Sequence, residues 1–209
     1  MILTRMSWAV VLVCALVGSA LADDLNPPPW RGQPGTTFGE WEFSSPNPDP
    51  LPDLGFYPWG PPTTHVAPGL FQEWMPTWGG RQGVWPLSGE ITVVIPNQPE
   101  PLPLKDIWLQ LTWAQQAPNV YPAVSETRFG VPASVVHEIV LPGGWFQTTY
   151  EMQLRPNPDW ESLLITGAVN VDEMVIDTIC TVPEPATLGL LAVGGLGLLV
   201  AAVLRRRRA

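Results

Sequence analysis

Prolines stand at such short intervals along this chain that no segment between residues 23 and 182 carries a long helical period. A proline inside a helix removes an amide donor and collides with the preceding turn. A chain punctuated this way is held to short strands and turns. The 26 prolines and 19 glycines are high for 209 residues, yet 45% of the chain is hydrophobic, enough for a packed core.

The clearest strand is Trp145 to Leu154. Phe146, Thr148, Tyr150, Met152 and Leu154 alternate with Gln147, Thr149, Glu151 and Gln153, the two-residue period of a half-buried strand. Ile107 to Trp113 alternates likewise, with Gln110 and Thr112 outward. Glu90 to Ile95, Val135 to Leu141, Leu163 to Val169 and Val171 to Ile179 are further strands, and Phe38 to Phe43 a weaker early one. Gly143-Gly144 and Pro156-Asn157-Pro158-Asp159 supply turns. The expectation is a mainly β domain: six to eight antiparallel strands in a jelly-roll-like β-sandwich. A proline-dense arm over residues 26–62 wraps the sandwich or forms loops at one end.

The two ends have a different character. Residues 1–22 read as a signal peptide, with Arg5 in front of the apolar run Trp8 to Val17 and Ala20-Leu21-Ala22 as the cleavage site. Small residues at Ala20 and Ala22 fit the peptidase pocket, and Asp23-Asp24 follow at once. At the other end, Ala186 to Leu204 carries no charge over 19 residues. As a helix it is about 28 Å long, the thickness of a bilayer core. Arg205, Arg206, Arg207 and Arg208 follow it, and four cations place that end in the cytoplasm. Residues 23–182 are then an exported domain, anchored by one C-terminal transmembrane helix. Leaving out both terminal segments, about 160 residues remain, one domain by size.

Before that helix stands Pro183-Glu184-Pro185. This triplet, a Gly/Ala/Leu-rich helix and a terminal arginine cluster, in that order, resemble the PEP-CTERM sorting signal over residues 183–209. The resemblance implies an exosortase partner, a membrane-embedded, cysteine protease-like enzyme that cuts near the proline motif. It also implies passage to the cell surface or an exopolysaccharide matrix. Two prolines keep that segment extended and accessible, so these residues act as an address, not as catalysts. The layout of Asn26 to Gly35, the turn Asn157 to Trp160 and the closing Val171 to Cys180 is similar to planctomycete-type PEP-CTERM proteins, which implies no activity.

Within residues 23–182, five basic residues face 18 acidic ones, a formal charge of −13. Such a surface repels nucleic acid and anionic lipid, and suits cations or neutral glycans. Cys180 is the one cysteine outside the signal segment, so the domain has no internal disulfide to rest on; it reads as a buried or unreactive thiol.

Ten tryptophans lie in the exported region. Indoles fill cores, but exposed ones also stack on sugar rings. Trp74, Trp78 and Trp85, in the glycine-rich and strand-poor stretch Phe71 to Trp85, are the glycan-stacking candidates. Asp172, Glu173 and Asp177 form an acidic cluster that reads either as solvated surface or as a calcium site; no regular loop of ligands accompanies it. His65 and His137 form no zinc pattern, and no nucleophile elbow, phosphate loop or dinucleotide fingerprint is present. A glycosidase needs two carboxylates held a set distance apart; pairs such as Glu138 and Glu151 remain open, but nothing singles them out. The reading is therefore a non-enzymatic surface or matrix protein with no catalytic residues and no required cofactor. A secreted polysaccharide hydrolase and a calcium-stabilised adhesion module are the alternatives.

Overall fold

The computed structural model describes residues 24–100 and 102–181. The signal segment with Ala20 and Ala22 lies outside them. So do Pro183, Glu184, Pro185, the expected membrane helix and Arg205, Arg206, Arg207 and Arg208. Among the described residues there is no helix long and apolar enough to cross a membrane.

Thirteen strands follow one another: β1 (Thr36–Trp41), β2 (Leu54–Phe56), β3 (Thr63–Ala67), β4 (Met75–Trp78), β5 (Arg81–Leu87), β6 (Glu90–Pro96), β7 (Leu104–Gln115), β8 (Ala123–Glu126), β9 (Val131–Pro132), β10 (Ser134–Leu141), β11 (Trp145–Leu154), β12 (Trp160–Thr166) and β13 (Val169–Thr181). They form two sheets, and every pairing is antiparallel. The large sheet runs β10-β11-β7-β13-β1-β2, with β5 also on β13 and β4 on β5; the small one runs β3-β6-β12-β8-β9. One apolar cluster joins them: Ile107, Leu109, Leu111 and Trp113 of β7 and Met174 and Ile176 of β13 meet Ile91, Val93, Leu163 and Ile165 of the small sheet. That is a β-sandwich, its core built from the alternating inner faces of both sheets.

The strongest alternation in the sequence coincides with β11, and the diglycine closes its hairpin with β10, Gly143 and Gly144 both at positive φ (81° and 82°). The expected six to eight strands are exceeded because β2, β3, β4, β5, β8 and β9 are short or proline-bearing. Phe71 to Trp85 is not strand-poor: Gly79 and Gly80, at φ 57° and 83°, turn β4 into β5.

The outer face of the large sheet is covered and not solvated. Gln110, Thr112, Gln147 and Thr149, expected outward, are each no more than 2% exposed. Two pieces of chain cover that face. The segment from Asp24 to Arg31 crosses it as a strap: the Asn26 amide donates to Gln110 Oε1 (2.7 Å), Asn26 Nδ2 to Thr149 Oγ1 (3.1 Å), and the Trp108 indole to Asn26 O (2.8 Å). Further along, the β4–β5 hairpin lays Val84 and Met75 on Ala114 and Trp145 as a small second core. The Trp145 indole donates to Gly79 O at 2.9 Å. Polar residues are thus buried with partners, as burial demands.

Candidate functional site

The pairing of β13 with β7 slips once. Val171 lies opposite Trp113 and Glu173 opposite Thr112, so Asp172 is an extra residue in a β-bulge. The bulge turns Asp172 and Glu173 toward one cleft of about 490 Å³. Glu42 and Ser44 beyond β1, Trp74 and Pro76 at β4, and the glycine-rich start of β5 complete its walls. Asp172 accepts from Arg81 Nη1 at 3.0 Å. The Arg81 guanidinium also stands 5.5 Å from the Trp145 ring centre, so a ring and a carboxylate fix it from two sides. The Trp74 indole donates to Phe43 O at 2.8 Å, which pins its ring at the cleft. Gly83 sits at φ 76°, and a Cβ there would meet Glu42 O at 2.7 Å and Phe43 O at 2.6 Å. The chain after β1 reaches β5 this closely because residue 83 has no side chain.

Chemically the cleft offers three carboxylates, one guanidinium and an indole. Carboxylates and guanidinium bond paired hydroxyls in fixed directions, and an indole face covers an apolar sugar face.

The structure brings together Trp74, Asp172 and Glu173 from the sequence-derived candidates and separates the rest. Trp78 packs edge-on against Trp145 at 5.5 Å. Trp85 is 4% exposed in the inter-sheet core and has no open ring face for a sugar. Asp177 stands four residues beyond Glu173, about 13 Å along the strand, and is fully buried against Arg31. The three acids therefore do not converge on one cation. Among the described residues, no three His, Cys, Asp or Glu side chains are grouped to hold a metal ion. Burial pushes the Asp177 carboxyl up to about 6, against the opposing pull of Arg31. Burial works against the Arg31 charge in turn, but hydrogen bonds to Asp177 and Asp24 hold its pKa above the ordinary value. Glu138 accepts from Thr148 Oγ1 on the inner side of β11, whereas Glu151 lies on the outer side, so these two form no pair. His65 Nδ1 lies 2.7 Å from Asp49 Oδ1 at the surface, and His137 is an exposed residue of β10.

Sequence reasoning missed Glu42 and Arg81. Arg81 follows the diglycine turn, and a reading of Gly79-Gly80 as a hairpin would have placed it at a strand start. The bulge at Asp172 leaves no mark in the sequence.

Residues 181–208 match the PEP-CTERM protein-sorting motif. The chain thus carries the signal of an exported protein sorted by an exosortase. No curated protein matches it. Among solved structures it is similar to TmCBM27, a carbohydrate-binding module described for specific mannan recognition. The identity is 13% over 69% of this chain and 96% of that chain, with a TM-score of 0.26.

Proposed function

We propose that residues 23–182 form a non-enzymatic surface or matrix module that contacts exopolysaccharide through this cleft, after release from a membrane-anchored precursor by an exosortase. The cleft carries the reading: Trp74, Arg81 and the carboxylates of Glu42, Asp172 and Glu173 meet in one concavity of a chain whose tail specifies export. A glycan array probed with the exported protein is expected to give binding that W74A abolishes. Equal binding by W74A removes the cleft from the proposal. Deletion of residues 183–209 is expected to leave the protein in the periplasm or medium, and unchanged surface retention contradicts the sorting role.

A second reading, a polysaccharide hydrolase, has one supporting observation, the three carboxylates in the same cleft. Release of reducing ends from a bound polysaccharide, lost in E173Q, would favour it.

A further inference from the structure

At the far end of β13, eight residues and about 26 Å from the cleft, the sandwich buries a group of polar side chains between its sheets. Lys105 opens the core-facing row of β7, and Glu161 opens that of β12. Both are 0% exposed, and Nζ lies 3.0 Å from Glu161 Oε1. Asn97, just past β6, joins them at 7% exposure. Its Oδ1 accepts from Lys105 Nζ. Its Nδ2 lies 2.6 Å from Glu161 Oε2, 2.9 Å from Asn157 Oδ1 and 2.8 Å from Pro158 O. Cys180 Sγ stands 3.5 Å from Asn97 Oδ1.

We propose that Lys105 and Asn97 are joined by an intramolecular isopeptide bond that the folded sandwich forms by itself. The amine is held at the amide, and one carboxyl bridges the attacking nitrogen and the leaving nitrogen. Nζ adds to Cγ of Asn97, the bond from Cγ to Nδ2 breaks, and ammonia leaves. Glu161 takes two protons from the Lys105 ammonium through Oε1, one before attack and one after it, delivers one to Nδ2 through Oε2 and keeps the other as a neutral carboxyl. An amine and a primary amide become a secondary amide and ammonia, so no oxidant or second reactant is required. The Cys180 thiol, a weak donor, faces the oxygen on which charge develops. Burial raises the Glu161 carboxyl above its usual range even against Lys105, which supports its standing as the acid in this exchange.

Fixed neighbours react with effective molarities far above any solution value. Water, the competitor for the amide, is excluded from a group with no exposure at Lys105 and Glu161. A buried ion pair is costly to keep, and the bond replaces its charges with a neutral amide. The link would tie the small sheet at the end of β6 to the large sheet at the start of β7, in a chain whose described residues contain one cysteine. An exported protein gains a covalent tie without a disulfide.

The test is peptide mass spectrometry on the full chain purified under denaturing conditions after expression. Trypsin cuts after a free Lys105 to give peptide 82–105 at full mass. The expected result is no such cut. Peptide 82–128 appears instead, lighter by one ammonia and giving no backbone fragments between residues 97 and 105. Recovery of 82–105 at full mass overturns the proposal. So does an ammonia loss that persists in K105R, since that would be Asn97 cyclising on its own backbone. E161Q, checked for folding by its tryptophan fluorescence, is expected to keep both side chains unreacted; complete cross-linking in E161Q removes the role given to Glu161.

Discussion

Replacing Arg31 by methionine isolates the electrostatic lock of the strap. In the native protein Arg31 Nε donates to Asp177 Oδ1 (2.5 Å) and Nη2 to Asp177 Oδ2 (2.6 Å), while Nη1 pairs with Asp24. The guanidinium also lies 4.3 Å from the centre of the Phe38 ring. Methionine keeps much of that packing and removes the charge. Asp177, 0% exposed, is then left as a buried carboxylate beside Asp24. Breaking a buried pair on one side costs about 3–5 kcal/mol. Arg31 is itself 23% exposed, so the lower end applies, about 3 kcal/mol at neutral pH, or roughly 6–12 °C in Tm for a domain of this size. The cost depends on pH. Asp177 in the folded protein titrates near 6, above the ordinary 3.8. Its folded form binds the proton more tightly than the unfolded chain does, so its contribution to stability is fully present below about 3.8 and is lost as pH rises through 6. A protonated Asp177 needs no counter-ion, and the R31M penalty should shrink on going from pH 8 to pH about 5. Adding D177N to R31M should recover most of the loss at pH 8. Urea unfolding followed by tryptophan fluorescence at both pH values measures all of this. A penalty below about 1 kcal/mol, or one equal at the two pH values, would refute the reasoning.

W113A is expected to cost about 3–5 kcal/mol in chemical unfolding. It removes a fully buried indole that stacks on Phe146 (4.9 Å) and donates to Thr148 (2.9 Å). G83A forces a side chain against Glu42 O and Phe43 O; it should lower Tm and reduce glycan binding together, and glycan binding at the native level would show that the close approach does not shape the cleft. Cys180, whose thiol burial pushes up, should resist a thiol-reactive dye until denaturant is added; rapid labelling of the folded protein would contradict its placement.

The fold class was legible because two-residue alternation needs no tertiary information. β11 and β7 announce a buried face in their own residues. What covers their other face was not legible: Gln147 and Thr149 look solvated because the strap that carries Asn26, more than 100 residues away, and the β4–β5 hairpin lie over that face. The cleft was half visible. Trp74, Asp172 and Glu173 drew notice through residue type, but their meeting depends on a bulge and on a glycine at residue 83. The inter-sheet group was missed for a similar reason: Lys105, Asn97 and Glu161 resemble ordinary loop and strand-end polar residues; register turns Lys105 and Glu161 inward, and the Asn97 backbone amide is tied just past β6 to Asp159 O.

β13 ends at Thr181, where the sorting motif begins, and it is flanked by β7 along its length and by β5 and then β1 on the other side. Under a pull at Thr181 along its own axis, β13 carries the load. Its ladders with β7 and β1 are loaded lengthwise, in shear, so that many hydrogen bonds must rupture together instead of unzipping singly. A protein tugged from that terminus meets the load with its most heavily cross-braced strand.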